Sequence, residues 1–153
     1  MSYRNIEEAE RRIDSIFDKA KQLDSDSELL SHFARYLCVL ISGYLEMSIR
    51  TIYGHYAKSN SNSNIASFVS LKLKAFQNPT TEKILQLTYS FNKTWGDSLK
   101  TSLEGEMADA VDSIVANKNL IAHGTNVGLT IGSITVYYSQ ARKVVTSIER
   151  LCA

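Results

Sequence analysis

Residues 33–52 read FARYLCVLISGYLEMSIRTI, and the fold class turns on this stretch. Its apolar side chains, Tyr36, Leu37, Val39, Leu40, Ile41, Tyr44, Leu45, Met47 and Ile49, fall on nearly every face of a helix. A helix with that pattern sits at the centre of a domain or at an interface. Gly43, in its middle, would let a neighbour approach closely. The longest unbroken apolar run, residues 36–41, is far short of the ~20 residues that cross a bilayer.

Working outward, Ser25 and Glu28 read as a capping box that opens this second helix, which should run to about Ala57. Upstream, Ile6, Ala9, Ile13, Ile16, Phe17 and Ala20 recur at steps of three and four, with Glu7 facing Arg11 and Glu8 facing Arg12 across the other side. This is a surface helix with one buried stripe. Downstream, the Ser/Asn tract of residues 58–64 reads as a flexible loop inside one domain, because its side chains compete for backbone hydrogen bonds and bury nothing.

Residues 65–76 form a short third helix in this reading. Asn78-Pro79 supplies a cap and a first helical residue for residues 80–92, and Trp95-Gly96-Asp97 marks a break. After a short segment around Leu99 and Leu103, the spacing of Met107, Ala110, Val111, Ile114 and Val115 predicts a helix that reaches His123 and stops at Gly124. A last helix should run from near Ser133 to near Leu151. Residues 129–138 are rich in β-branched side chains and would suit a strand, but no second strand is available to pair with them. With one proline and seven glycines in 153 residues and no internal repeat, the chain reads as a single all-α domain over residues 1–153.

Composition narrows the function classes. Hydrophobic residues make up 44% and charged residues 22%, an ordinary globular balance. Seventeen basic against sixteen acidic residues leave a net charge of +1, so nucleic acid would have to be met by a local patch. Cys38 and Cys152 lack the spacing of a zinc site or redox motif and read as reduced thiols of a cytoplasmic protein. The charged N-terminus, Arg4 to Arg12, does not resemble a secretory signal. There is no phosphate-binding glycine loop, no catalytic carboxylate pair and no cluster of metal-ligand type. No metal, cofactor or membrane is expected.

One segment is chemically pointed: Asn117-Lys118-Asn119-Leu120-Ile121-Ala122-His123-Gly124. Asn119 and His123 are four residues apart and share a helix face. Lys118 continues the stripe of Ile114 and Val115. Five positions separate Lys118 from His123, which is roughly 140° around a helix, so one copy brings them together poorly. Two copies about a two-fold axis at this helix end would place two imidazoles and two ammonium groups around one cleft.

The segment from Lys118 to Gly124 resembles the HEPN signature: an arginine, then asparagine or another polar residue, then histidine a few positions later. HEPN domains carry it at the end of a helix that precedes a final long helix, which is its place here. Residues 6–17 together with Gly43-Tyr44-Leu45-Glu46 are similar to the RiboL-PSP group of that family. The resemblance covers the whole chain. It implies an up-and-down helical bundle of about five to seven helices around a long second one. It also implies a homodimer whose paired motifs form a metal-independent endoribonuclease, often a toxin with a cognate antitoxin protein or an antiphage effector.

That implication assigns catalytic roles to His123, Asn119 and Lys118. RNA is cut by its own 2'-hydroxyl when one group takes that proton, another protonates the leaving oxygen and cations offset the phosphorane charge. Histidine suits both transfers near neutral pH. Asn119 would orient the imidazole or contact phosphate. The departure is Lys118, where the family has arginine: a guanidinium grips phosphate as a planar fork, an ammonium as a point charge. Three outcomes are open: the lysine suffices, the domain binds RNA without cutting, or the change silences a toxin.

Each reading has a plainer counterpart. A histidine before a helix-ending glycine is commonly a charge complementing the helix dipole. Arg35, Arg50 and Asn117 could form an RNA-binding rim near His32 and His55, or be solvated helix residues. Glu46 could hold Lys118 or His123 in place, or simply pair with Arg50 four positions on. Tyr36, Tyr44, Tyr53 and Tyr56 could stack bases or pack the core, and Lys72 and Lys74 read as a wet face. Beside the ribonuclease stand two other functions: a non-catalytic HEPN module that binds RNA or a protein, and a plain helical adaptor.

Overall fold

The long second helix dominates the structure. The computed structural model of the protein describes residues 3–153, which form seven α-helices: α1 (Arg4–Ala20), α2 (Glu28–Asn60), α3 (Ser63–Lys74), α4 (Thr81–Phe91), α5 (Lys93–Ser102), α6 (Gly105–Ala122) and α7 (Ile131–Leu151). No strand is present among the described residues. With 33 residues, α2 is about 50 Å long and packs against α1, α3, α6 and α7. Leu37, Ile41, Leu45, Ile49 and Ile52 on it are fully buried. Among the described residues, no helix is long and apolar enough to cross a membrane.

Side-chain pairs fix the directions of the helices. Asn5 Nδ2 donates to Thr51 Oγ1 at 2.7 Å, the Tyr44 hydroxyl to Glu10 Oε1 at 2.8 Å and Arg12 Nη2 to the Tyr36 hydroxyl at 3.1 Å, so α1 runs antiparallel to α2. The Tyr138 ring of α7 packs on Phe17 and Tyr44, with centroids 5.7 and 5.9 Å away. On the far side, α4 and α5 pack on each other and reach α6 and α7. Tyr53 stacks on Phe91 at 4.6 Å while its hydroxyl pairs with Thr88 Oγ1 at 2.5 Å, which satisfies the one polar atom of a fully buried ring.

Several local expectations change. The capping box at Ser25 is not formed. Ser27 is the N-cap, accepting from Leu29 N at 3.2 Å, because the Ser27 N–H closes a turn onto Asp24 O and places the cap two residues later. The loop expected over residues 58–64 shrinks to Ser61 and Asn62. Its polar side chains do bond to backbone, but at helix ends: Asn60 and Ser61 donate to the carbonyls of Tyr56 and Ala57, and Asn62 Oδ1 accepts from Ile65 N. Local competition for the backbone caps helices here instead of melting them.

Thr80, not Asn78, caps α4, accepting from Lys83 N at 3.3 Å. The break expected at Trp95-Gly96-Asp97 lies at Asn92, whose side chain caps α5, and α5 passes through Gly96 without interruption. Glycine is required there because a Cβ would lie 2.3 Å from Cδ1 of Tyr89. Residues 131–138 of the strand-like segment are helix, opened by a reciprocal Thr130–Ser133 capping box. Gly43 is exposed and nothing lies within 4 Å of where its Cβ would be, so no neighbour within the chain explains it.

Candidate functional site

The segment from Lys118 to Gly124 ends α6, and the way it ends fixes what the side chains can do. Thr125 N–H bonds to Leu120 O at 2.9 Å and Gly124 N–H to Ile121 O at 3.0 Å, with Gly124 at φ +77°. This is a Schellman ending, which satisfies carbonyls that a helix otherwise leaves open. His123 is the C-cap residue at φ −90°, ψ 9°, a sparsely occupied region that places it half outside the helix. Its ring is exposed, and among the described residues it has no hydrogen-bond or ion-pair partner. Asn119 lies one turn earlier and is half-buried. Its carbonyl accepts the His123 N–H at 3.1 Å, while its carboxamide is free among the described residues.

Lys118 is half-buried and turns away toward the connection between α3 and α4, where its Nζ donates to Asn78 Oδ1 at 3.0 Å. Asn78 has φ +52°, a conformation asparagine tolerates better than most residues. Its backbone N–H donates to Glu46 Oε2 at 3.1 Å, and Glu46 Oε1 pairs with Arg50 Nη2 at 3.0 Å. Arg50 in turn donates through Nε to Phe76 O at 2.9 Å and through Nη2 to Lys74 O at 3.3 Å, closing the C-terminal end of α3. A continuous chain therefore runs from Arg50 through Glu46 and Asn78 to Lys118.

Among the candidate residues, this chain joins Lys118, Glu46 and Arg50. Glu46 reaches the lysine through Asn78 rather than directly, and it also makes the ion pair with Arg50 that its spacing suggests. Arg35 stands about 16 Å further back along α2 and is engaged with Ser31 Oγ at 2.7 Å and the His32 ring at 2.6 Å. Asn117 folds onto its own helix, donating to Ser113 O at 2.8 Å. His55 meets the Tyr3 ring edge-on. Tyr44 and Tyr53 are core residues and Tyr56 packs on Trp95, whereas Tyr36 is exposed.

Asn78 was not legible as a site residue. Its only sequence signal was its place before proline, which suggested a helix cap, and nothing local announces a bond to a lysine 40 positions away.

Burial pushes both Cys38 and Cys152 up to about 11, so neither is a thiolate at neutral pH. Among the described residues, no group of three or more His, Cys, Asp or Glu side chains is placed to hold a metal ion. A groove of about 890 Å³ between α1 and α7 is lined by Asp14, Asp18, Arg142, Lys143 and Arg150 among others, and by none of the motif residues. The motif sits on an open helix end.

No curated protein and no solved structure matches the chain. The family model described as RiboL-PSP-HEPN matches residues 4–153. The all-α architecture agrees with that match, and the chain belongs to the RiboL-PSP-HEPN family.

Proposed function

We propose that the protein is a metal-independent endoribonuclease that acts as a homodimer, with His123, Asn119 and Lys118 of both copies around one RNA phosphate. The observation that carries this reading is the His123 ring, exposed and unengaged on a Schellman ending one turn after Asn119. In a single copy the motif sits on an open helix end, and a second copy across a two-fold axis would supply the other wall of a cleft. One His123 takes the proton of the 2'-hydroxyl as the 2'-oxygen bonds to phosphorus. The second copy's His123 gives a proton to the 5'-oxygen as its bond to phosphorus breaks. The products are a 2',3'-cyclic phosphate and a free 5'-hydroxyl. Lys118 offsets charge on the phosphorane, and Asn119 orients the imidazole or contacts a non-bridging oxygen.

Within the cytoplasm this activity would suit the toxin of a toxin–antitoxin pair or an antiphage effector, held in check by a protein that covers the motif end of α6. That role rests on the family alone. It predicts that expression arrests growth and that His123→Ala relieves the arrest.

A second reading is favoured by Lys118, which lacks the arginine fork and already donates to Asn78: a HEPN module that binds RNA or a protein without cutting. Wild type, Lys118→Arg and His123→Ala, incubated with mixed RNA in chelator, separate the two. The ribonuclease reading expects cleavage by wild type that His123→Ala abolishes. Cleavage by Lys118→Arg alone would mark a binding module that arginine restores, and cleavage by none of the three would leave binding as the function.

A further inference from the structure

An ammonium has only donors, so the atom of Asn78 that faces Lys118 Nζ at 3.0 Å is its carboxamide oxygen. The Nδ2 of the same planar group then points elsewhere with two N–H donors, and among the described residues it has no hydrogen-bond partner. Lys118 keeps two further N–H donors. The Asn78 backbone is held from two sides, by Glu46 Oε2 on its N–H at 3.1 Å and by Thr80 N on its carbonyl at 2.8 Å. Glu46 is itself fixed by Arg50 at 3.0 Å. A cationic group with spare donors and a neutral donor without a partner thus meet at one half-buried place.

We propose that Lys118 and Asn78 together form a two-donor phosphate clamp, in which the carboxamide supplies the second prong that an arginine at position 118 would carry itself. A guanidinium recognises phosphate through two parallel N–H groups in one rigid plane. Here the charge comes from Nζ and the planarity from the Asn78 amide, and Glu46, paired with Arg50, holds the Asn78 backbone N–H. Asn78 is a positioning residue for Lys118 as well as a donor, and at φ +52° it meets Glu46 through its backbone N–H and Lys118 through its side chain. The inference rests on the RNA reading of the motif, because it takes the clamped anion to be an RNA phosphate.

The test is binding of a fluorescent 2'-O-methyl oligonucleotide of mixed sequence, which cannot be cut because its 2'-oxygen is blocked, followed by anisotropy over a range of salt. Asn78→Gly keeps the backbone, since glycine adopts positive φ freely, and should unfold close to the wild-type temperature while binding about three- to tenfold more weakly. Its salt slope should be unchanged, because no charge is lost. Lys118→Met should lower the slope by about 0.7, the value for one phosphate contact on a single strand. Asn78→Asp retains an acceptor for the lysine but turns a donor into a carboxylate, and should bind more weakly than Asn78→Gly. In the Lys118→Met background the Asn78→Gly loss should shrink, and Lys118→Arg should restore binding to Asn78→Gly.

Binding within twofold of wild type for Asn78→Gly, losses that simply add in the double variant, or an oligonucleotide that does not bind wild type would each overturn the clamp. Because cutting plays no part in the assay, a protein that binds as described but never cleaves RNA would remove the ribonuclease reading and leave the clamp. Cleavage indifferent to Asn78 would do the reverse.

Discussion

The backbone N–H of Thr125 bonds to the carbonyl of Leu120 at 2.9 Å, across the C-cap residue His123. That one bond, possible only with Gly124 at φ +77°, sets where α6 stops and therefore where the imidazole stands. Chain ending and candidate chemistry are one local structure.

Gly124→Ala should accordingly cost about 1–2 kcal/mol, the penalty of a left-handed conformation for a residue with a Cβ. Gly124→Asn should cost less. Urea unfolding reads the stability, and hydrogen exchange at Gly124 and Thr125 reads the cap. Equal stability of all three proteins would mean that the Schellman ending does not form.

Gly96→Ala tests the contact between α4 and α5. The new Cβ would lie 2.3–2.5 Å from three atoms of the Tyr89 ring, so the ring must move, losing its hydroxyl bond to Asp97 Oδ1. A destabilisation of about 1–3 kcal/mol is expected. With Tyr89→Ala already present, the same change should be neutral or stabilising, since alanine exceeds glycine as a helix former by about 1 kcal/mol. A cycle in which the two substitutions add would contradict the geometry.

Alkaline pH should weaken the fold. Burial raises the Cys38 and Cys152 thiols to about 11 and also raises the hydroxyls of Tyr44, Tyr53 and Tyr138. The unfolded chain then binds fewer protons than the native one above pH 9, so stability is fully present below about pH 9 and falls as pH rises toward 11. By the same cause, alkylation of the half-buried Cys152 should be slow at pH 8 and rise about tenfold per pH unit. Stability that stays level to pH 11, or fast alkylation at pH 8, would refute this.

What the sequence discloses follows from the range of the interactions. The stripe from Ile6 to Ala20, the apolar surround of residues 33–52 and the stop at Gly124 are local patterns, and each became the expected helix or helix end. The polar tract of residues 58–64 misled because serine and asparagine serve loops and caps equally, and only the neighbouring helices decide. Gly96 read as a break because its reason, the Tyr89 ring, lies on another helix. Lys118 and His123 were visible as a motif, and Glu46 as a residue near it. Asn78, which connects Glu46 to Lys118, was not visible: its role depends on a left-handed turn and on two partners 32 and 40 positions away.

The most direct test of the central claim is the end chemistry of RNA treated with the purified protein in chelator. The account predicts fragments ending in 2',3'-cyclic phosphate with free 5'-hydroxyls, formed by wild type and not by His123→Ala, and none from 2'-O-methyl RNA. Fragments that persist undiminished with His123→Ala, or that arise from 2'-O-methyl RNA, would contradict it.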